Sequence, residues 1–161
     1  MPITKKRLQS YIGLRLENEN INERIARMQS AAEMPPMSSG DGSQHTGSSG
    51  DRMARAVERL IEYKAQVAPT LESNRKEMLE IENAVNCLDD PIEREVMQMR
   101  YIDQWFDPET GFATCRWTPW SEIAHSIYGN GYERGVKAVL KVHRSALAFL
   151  ETLGQTGSKR E

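Results

Sequence analysis

The sequence predicts a mainly α protein: a long N-terminal helical hairpin or coiled coil, then a helix-turn-helix unit with a small inserted β-hairpin. Three observations predict this. Two long stretches repeat apolar residues at a spacing of about 3.5, the pattern of helices packed along a seam. Proline, glycine and capping residues divide residues 89–154 into short helices. Apolar residues, 39% of the 161, fall in stripes rather than blocks, which suits long amphipathic helices around a small core.

The N-terminal segment, residues 1–34, reads as a helix over 4–34 with Thr4 as its N-cap. Its seam positions are Tyr11, Leu14, Asn18, Ile21, Ile25, Met28 and Ala32. Two readings of Asn18 stand side by side. Paired between two copies, a buried Asn fixes register and dimeric state; on a helix folded back along its own chain, it sits at a wet edge. Met34-Pro35-Pro36 ends the helix, and residues 35–50 read as a flexible Gly/Ser-rich linker in which His45 is solvated.

Asp51 is expected to cap a second helix over 51–88. Its seam holds Val57, Leu60, Lys64, Val67, Leu71, Asn74, Met78, Ile81, Val85 and Leu88, with only Lys64 and Asn74 polar. Pro69 predicts a kink or break near Ala68. The simplest arrangement lays helix 4–34 antiparallel on helix 51–88, with pairing between chains as the alternative.

Residues 89–154 form the second region. Asp90-Pro91-Ile92-Glu93 is a sharp helix start, with Asp90 as cap, Pro91 at N1 and Glu93 completing a capping box. Residues 105–117 place two aromatic-rich runs around Asp107-Pro108-Glu109-Thr110-Gly111, the pattern of a β-hairpin with Trp105 facing Trp117. Thr118-Pro119 starts another helix, stopped by Gly129-Asn130-Gly131. A last helix runs from about Tyr132 to Leu153, with Val136, Val139, Leu140, His143, Leu147 and Leu150 in one stripe. A short helix, a glycine turn and a longer helix make a helix-turn-helix layout. Residues 155–161 read as a disordered tail.

Composition narrows the function classes. No apolar run approaches the roughly 18 residues that cross a bilayer, and no signal-peptide core is present, so a cytoplasmic protein without a membrane partner is expected. Cys87 and Cys115 supply neither a disulfide framework nor a zinc quartet. Carboxylates along 72–95 lack a paired His or Cys, and there is no phosphate-cradling loop or nucleophile elbow. Neither an enzyme nor a cofactor or metal is expected.

The net charge of −2 weighs against nucleic acid for the chain as a whole, but phosphate binding needs only a local patch. Residues 51–90 carry six basic and nine acidic side chains. From Arg134 to Leu150 there are four basic side chains (Arg134, Lys137, Lys141 and Arg144) and no acid. At about 100° per residue, these four fall within an arc of roughly 80°, turned away from the apolar stripe. Arg134 and Lys137, near the N-terminal end, are expected to face bases, and Lys141 and Arg144 to meet phosphate. His125, outward on the preceding helix, is a further phosphate-contact candidate. Glu122 is expected to tie the two helices together through a polar contact, and His143, within the stripe, to be a buried structural histidine.

The segments Asp-Asp-Pro-Ile-Glu-Arg-Glu-Val-Met-Gln-Met-Arg-Tyr-Ile (89–102), Trp-Ser-Glu-Ile-Ala (120–124) and Val-His-Arg-Ser-Ala-Leu (142–147) resemble region four of bacterial sigma factors. With the Gly/Ser-rich stretch and Asp-Arg-Met-Ala-Arg-Ala-Val (51–57), the chain is similar over most of 30–150 to small phage regulators of the ArpU and RinA type. That resemblance implies sequence-specific binding of double-stranded DNA and transcriptional control of phage or prophage genes in a bacterial host. It departs from the family in the insertion at 105–117 and in a turn longer by a residue or two, with Tyr128 where glycine is usual. Four basic contacts would bind weakly, so a homodimer is expected, or a partner such as RNA polymerase. The alternative reading is a DNA-packaging component such as a small terminase subunit.

Overall fold

A computed structural model of the chain describes residues 2–33, 49–107, 109–111 and 116–156. The architecture is mainly α, with helices α1 (Lys5–Glu33), α2 (Ser49–Asn86), α3 (Pro91–Met97), α4 (Trp120–Tyr128) and α5 (Glu133–Thr156). A π-helical turn over Gln98–Ile102 continues α3. The chain divides into two compact units: Met1–Leu16 with Lys76–Glu161, and Glu17–Arg75.

The helix starts show which local signals prevail. Thr4 caps α1, its hydroxyl accepting from the Arg7 N–H at 3.4 Å. Helix α2 begins at Ser49, two residues before the expected cap, so Asp51 lies inside the first turn and pairs with Arg55 at 2.9 Å. The helix also runs through Pro69 without the expected break. Pro69 and Ala65 are both exposed, so the Ala65 carbonyl that loses its partner faces water rather than a dry interior. Most of the linker at 35–50, with His45, lies outside the described residues, as does the tail beyond Thr156.

In the unit Glu17–Arg75, α1 and α2 pair antiparallel within one chain. Asn74 is buried and donates through Nδ2 to Asn18 Oδ1 at 3.0 Å and to Glu17 Oε2 at 2.8 Å. Further along, Arg24 lies over the Tyr63 ring at 5.7 Å. Asn18 is thus half-buried on a helix folded back along its own chain, where it accepts from Asn74. Two polar seam residues that face each other satisfy their amides, where either alone against a leucine would leave a buried amide unpaired.

In the larger unit, residues 5–16 and 76–86 are joined by a bidentate ion pair. Arg7 donates to Glu77 at 2.7 and 2.8 Å and to Glu80 at 2.8 Å, which holds the Glu77 carboxyl below its ordinary range. Ile3, Leu8, Tyr11, Ile81, Val85, Leu88, Met97, Tyr101, Ala146 and Leu150 form one core cluster. Val96, Ile123, Ala124 and Val139 form a second, walled by Met99, Trp120, Ile127, Val136 and Val142. Helix α5 packs on both α3 and α4 and contributes to both clusters.

Helix α3 starts with Asp90 as cap and Pro91 at N1 as read, Asp90 Oδ1 accepting the Ile92 N–H at 2.7 Å, but the expected capping box with Glu93 is not closed among the described residues. Helix α4 differs: it starts at Trp120, and Thr118 does not cap it. The buried Thr118 hydroxyl instead donates to the Met99 carbonyl at 2.7 Å, because that tertiary acceptor lies within its reach. No strand forms among the described residues of 105–117; residues 108 and 112–115 lie outside them. A turn does close there, with the Gly111 N–H donating to the Asp107 carbonyl at 2.7 Å and the Asp107 side chain accepting from the Glu109 N–H at 2.9 Å.

Two glycines fix the α4–α5 connection. Gly129 ends α4 with φ +65°, the left-handed conformation that side chains disfavour, and its N–H returns to the His125 carbonyl at 2.8 Å. Gly135 is buried, and a Cβ there would lie 1.8 Å from the Asn130 carbonyl oxygen and 3.4 Å from the Ala124 Cβ. Gly135→Ala therefore forces the turn off α5. The expected destabilisation is about 2–4 kcal/mol, read as a lower midpoint in thermal unfolding by circular dichroism; an unchanged midpoint would show that the close approach is not needed.

Candidate nucleic-acid interface

The candidate surface lies on α5, opposite its buried side. Gly135, Val139, His143, Ala146 and Leu150 point inward, while Arg134, Lys137, Lys141 and Arg144 are all exposed. The two sets stand about 180° apart around the helix axis. Burial of one side thus forces the basic side into solvent. Ala138, Ser145 and Ala148 are exposed beside the basic residues and are too short to screen them.

Lys137 differs from the other three. Its ammonium lies 2.6 Å from the Glu133 carboxylate one turn earlier, with both side chains largely exposed. Such a pair is worth well under about 1 kcal/mol, so an incoming phosphate competes with it easily. The acid-free run from Arg134 is real, but an acid sits immediately before it. The i, i+4 spacing of Glu133 and Lys137 carries that signal in the sequence. His125 is exposed on α4, beside the turn, with its Cβ 3.5 Å from where a Cβ on Gly131 would lie. The four basic residues share one helix face, and His125 comes from the neighbouring helix. Glu122 is exposed, so the expected tie to α5 is absent among the described residues; glycine contacts and apolar packing hold the helices instead.

The N-terminal end of α5 carries a residue the charge pattern does not mark. Tyr132 is 84% exposed, and its N–H is held by the Asn130 side chain at 2.9 Å. Its carbonyl accepts the Val136 N–H at 3.0 Å and so opens the helix. Its exposure becomes visible only once the turn turns it outward.

Beneath this surface the Arg100 guanidinium fills an aromatic sandwich. Its Cζ lies 4.2 Å from the Trp120 ring centroid and 5.4 Å from that of Trp117, and Nη1 donates to the Thr118 carbonyl. Trp117 is thus engaged by Arg100, where facing Trp105 was expected. With the Thr118–Met99 hydrogen bond, the sandwich ties the start of α4 to the π-helical turn. An Arg followed by aromatics at 117 and 120 is readable in sequence, but the contact depends on the fold.

His143 stands at the centre of the larger unit. It is 4% exposed, its Nε2 is 2.9 Å from the Tyr101 hydroxyl, and its ring meets the edge of Trp120 at 4.8 Å. Burial, followed by the positive charges of Lys5, Arg100 and Arg144, lowers its pKa to about 4. It is therefore neutral at pH 7 and structural. Among the described residues, no group of three or more His, Cys, Asp or Glu could hold a metal ion, and no helix is long and apolar enough to cross a membrane.

No protein-family model, curated protein or solved structure matches this chain.

The His143 geometry sets a pH dependence. Its folded pKa lies below the ordinary 6.5, so unfolding takes up a proton once the pH falls below that value. The histidine's contribution is complete above pH 6.5 and declines towards pH 4, by on the order of 3 kcal/mol. Urea unfolding at pH 7, 5.5 and 4.5 is expected to give a steeper loss of stability in the wild type than in His143→Gln. The difference should approach one proton per molecule, and parallel slopes would contradict the assignment.

Proposed function

We propose that this protein is a sequence-specific DNA-binding transcription regulator of phage or prophage type, acting in the bacterial cytoplasm, with α4, the glycine turn and α5 as its helix-turn-helix. The observation that carries this reading is the exposed basic face of α5, fixed opposite that helix's buried side. A long helix held by a short one across a tight turn is the geometry that lays side chains into a major groove. In this reading Arg134 and Lys137 face base edges, and Lys141, Arg144 and His125 meet phosphates. Glu133 releases Lys137 as DNA arrives.

The resemblance to sigma region four and to ArpU- and RinA-type regulators supports the same reading, with residues 105–117 as an insertion ahead of the helix-turn-helix. Four basic residues neutralise few phosphates, so a second copy or RNA polymerase supplies further contacts.

Fluorescence anisotropy against duplexes from upstream phage DNA tests the proposal at two salt concentrations. Arg134→Ala should weaken binding to the preferred duplex by about 1–3 kcal/mol and flatten sequence preference. Lys141→Ala and Arg144→Ala should weaken all duplexes alike and reduce the salt slope by about 0.9 each. Binding with neither salt dependence nor sequence preference would overturn the reading.

A further inference from the structure

Helix α2 carries two apolar sides, and α1 covers only one of them. Within the unit Glu17–Arg75, Leu60, Val67 and Asn74 lie on the side that faces α1, each buried or half-buried. At about 100° per residue, an adjacent side carries Met53, Ala54, Val57, Ile61, Ala65 and Ala68, all exposed. Met53, Val57 and Ile61 are 47%, 39% and 61% exposed, and between Met53 and Ala68 the one charge on this side is Lys64; Glu72 and Arg75 follow on the same side beyond Pro69. The outer side of α1 is different, bearing Glu19, Asn20, Asn22, Glu23 and Arg27. Among the described residues of this unit, Ala32 and Leu60 are the buried apolar side chains. So thin a core suits half of a bundle.

The geometry points to a second copy of this chain as the occupant, with α2 packed parallel on its counterpart and the two hairpins forming a four-helix bundle. The charges along the face decide between occupants and directions. One edge of the apolar side carries Glu58 and Glu62, and Lys64 lies towards the other. When identical helices pair in parallel about a two-fold axis, opposite edges meet, so each Lys64 faces the acidic edge of the other copy. Antiparallel pairing would set acid against acid. The face spans about 24 Å along one helix and about 10 Å across it, roughly 240 Å² against the roughly 800 Å² per partner of a standard interface, so the dimer dissociates on dilution.

This inference names the second copy invoked above, and a measurement without DNA tests it apart from the DNA reading. Sedimentation velocity and light scattering on the full chain, from about 1 to about 200 µM, should show a concentration-dependent dimer. Val57→Glu with Ile61→Glu should raise the dissociation constant at least about 100-fold while far-UV helix content stays constant, since both side chains are exposed in the single chain. Should that pair lose helix, Ile61→Ser alone reads the same direction. Lys64→Glu should weaken the dimer, and Glu58→Lys with Glu62→Lys in the same chain should restore it. A wild type that stays monomeric, a ring of many copies, or a dimer indifferent to Val57 and Ile61 overturns the proposal; failure of the charge reversal to restore overturns the parallel direction.

Discussion

The burial of one side of α5 is the constraint on which the larger unit depends. Val139 enters the cluster with Val96, Ile123 and Ala124, while Ala146 and Leu150 enter the cluster with Leu8, Ile81 and Tyr101. His143 lies between them, satisfied by the Tyr101 hydroxyl and packed on Trp120. A helix held at both ends of its apolar stripe cannot rotate about its axis without exposing leucine and valine or stranding a buried imidazole. Its opposite side is therefore fixed in solvent, and the basic residues there gain direction from the burial behind them rather than from contacts with the core.

The turn acts on the same constraint from the other end. Gly135 brings the α5 backbone against Asn130 and Ala124, and Gly129 reverses the chain in the left-handed conformation. The Arg100 sandwich then anchors the start of α4 to the π-helical turn. Three kinds of interaction (close backbone approach, apolar burial and a cation between indoles) converge on the placement of two helices. None of them uses the four exposed basic side chains, of which Lys137 pairs with the exposed Glu133 one turn earlier.

Much of this was legible from residue order. The seam of α1 is at least half-buried at every position read, from Tyr11 to Ala32, because a 3.5-residue repeat dictates which side of a helix seeks cover. Asp90, Pro91 and Gly129 mark helix ends because their effects are local. Other signals failed where a tertiary partner outbid a local one. Thr118 gives its hydroxyl to Met99 rather than to a helix end, and Trp117 turns to Arg100. Pro69 lies inside α2 without breaking it, at an exposed position where water can serve the Ala65 carbonyl that loses its partner.

By itself, the sequence determined the helical class, the inward stripes and the clustering of basic charge on one arc of α5. These follow from helical periodicity, which needs no knowledge of neighbours. Only the tertiary structure decided that Asn18 pairs with Asn74 inside one chain, that Val57 and Lys64 stay exposed at positions read as seam, and that His143 is held neutral. Each depends on which surface arrives opposite a given side chain. Residue spacing fixes the face a side chain occupies, but whether it meets water, an amide or an aromatic ring is set by elements distant in the chain.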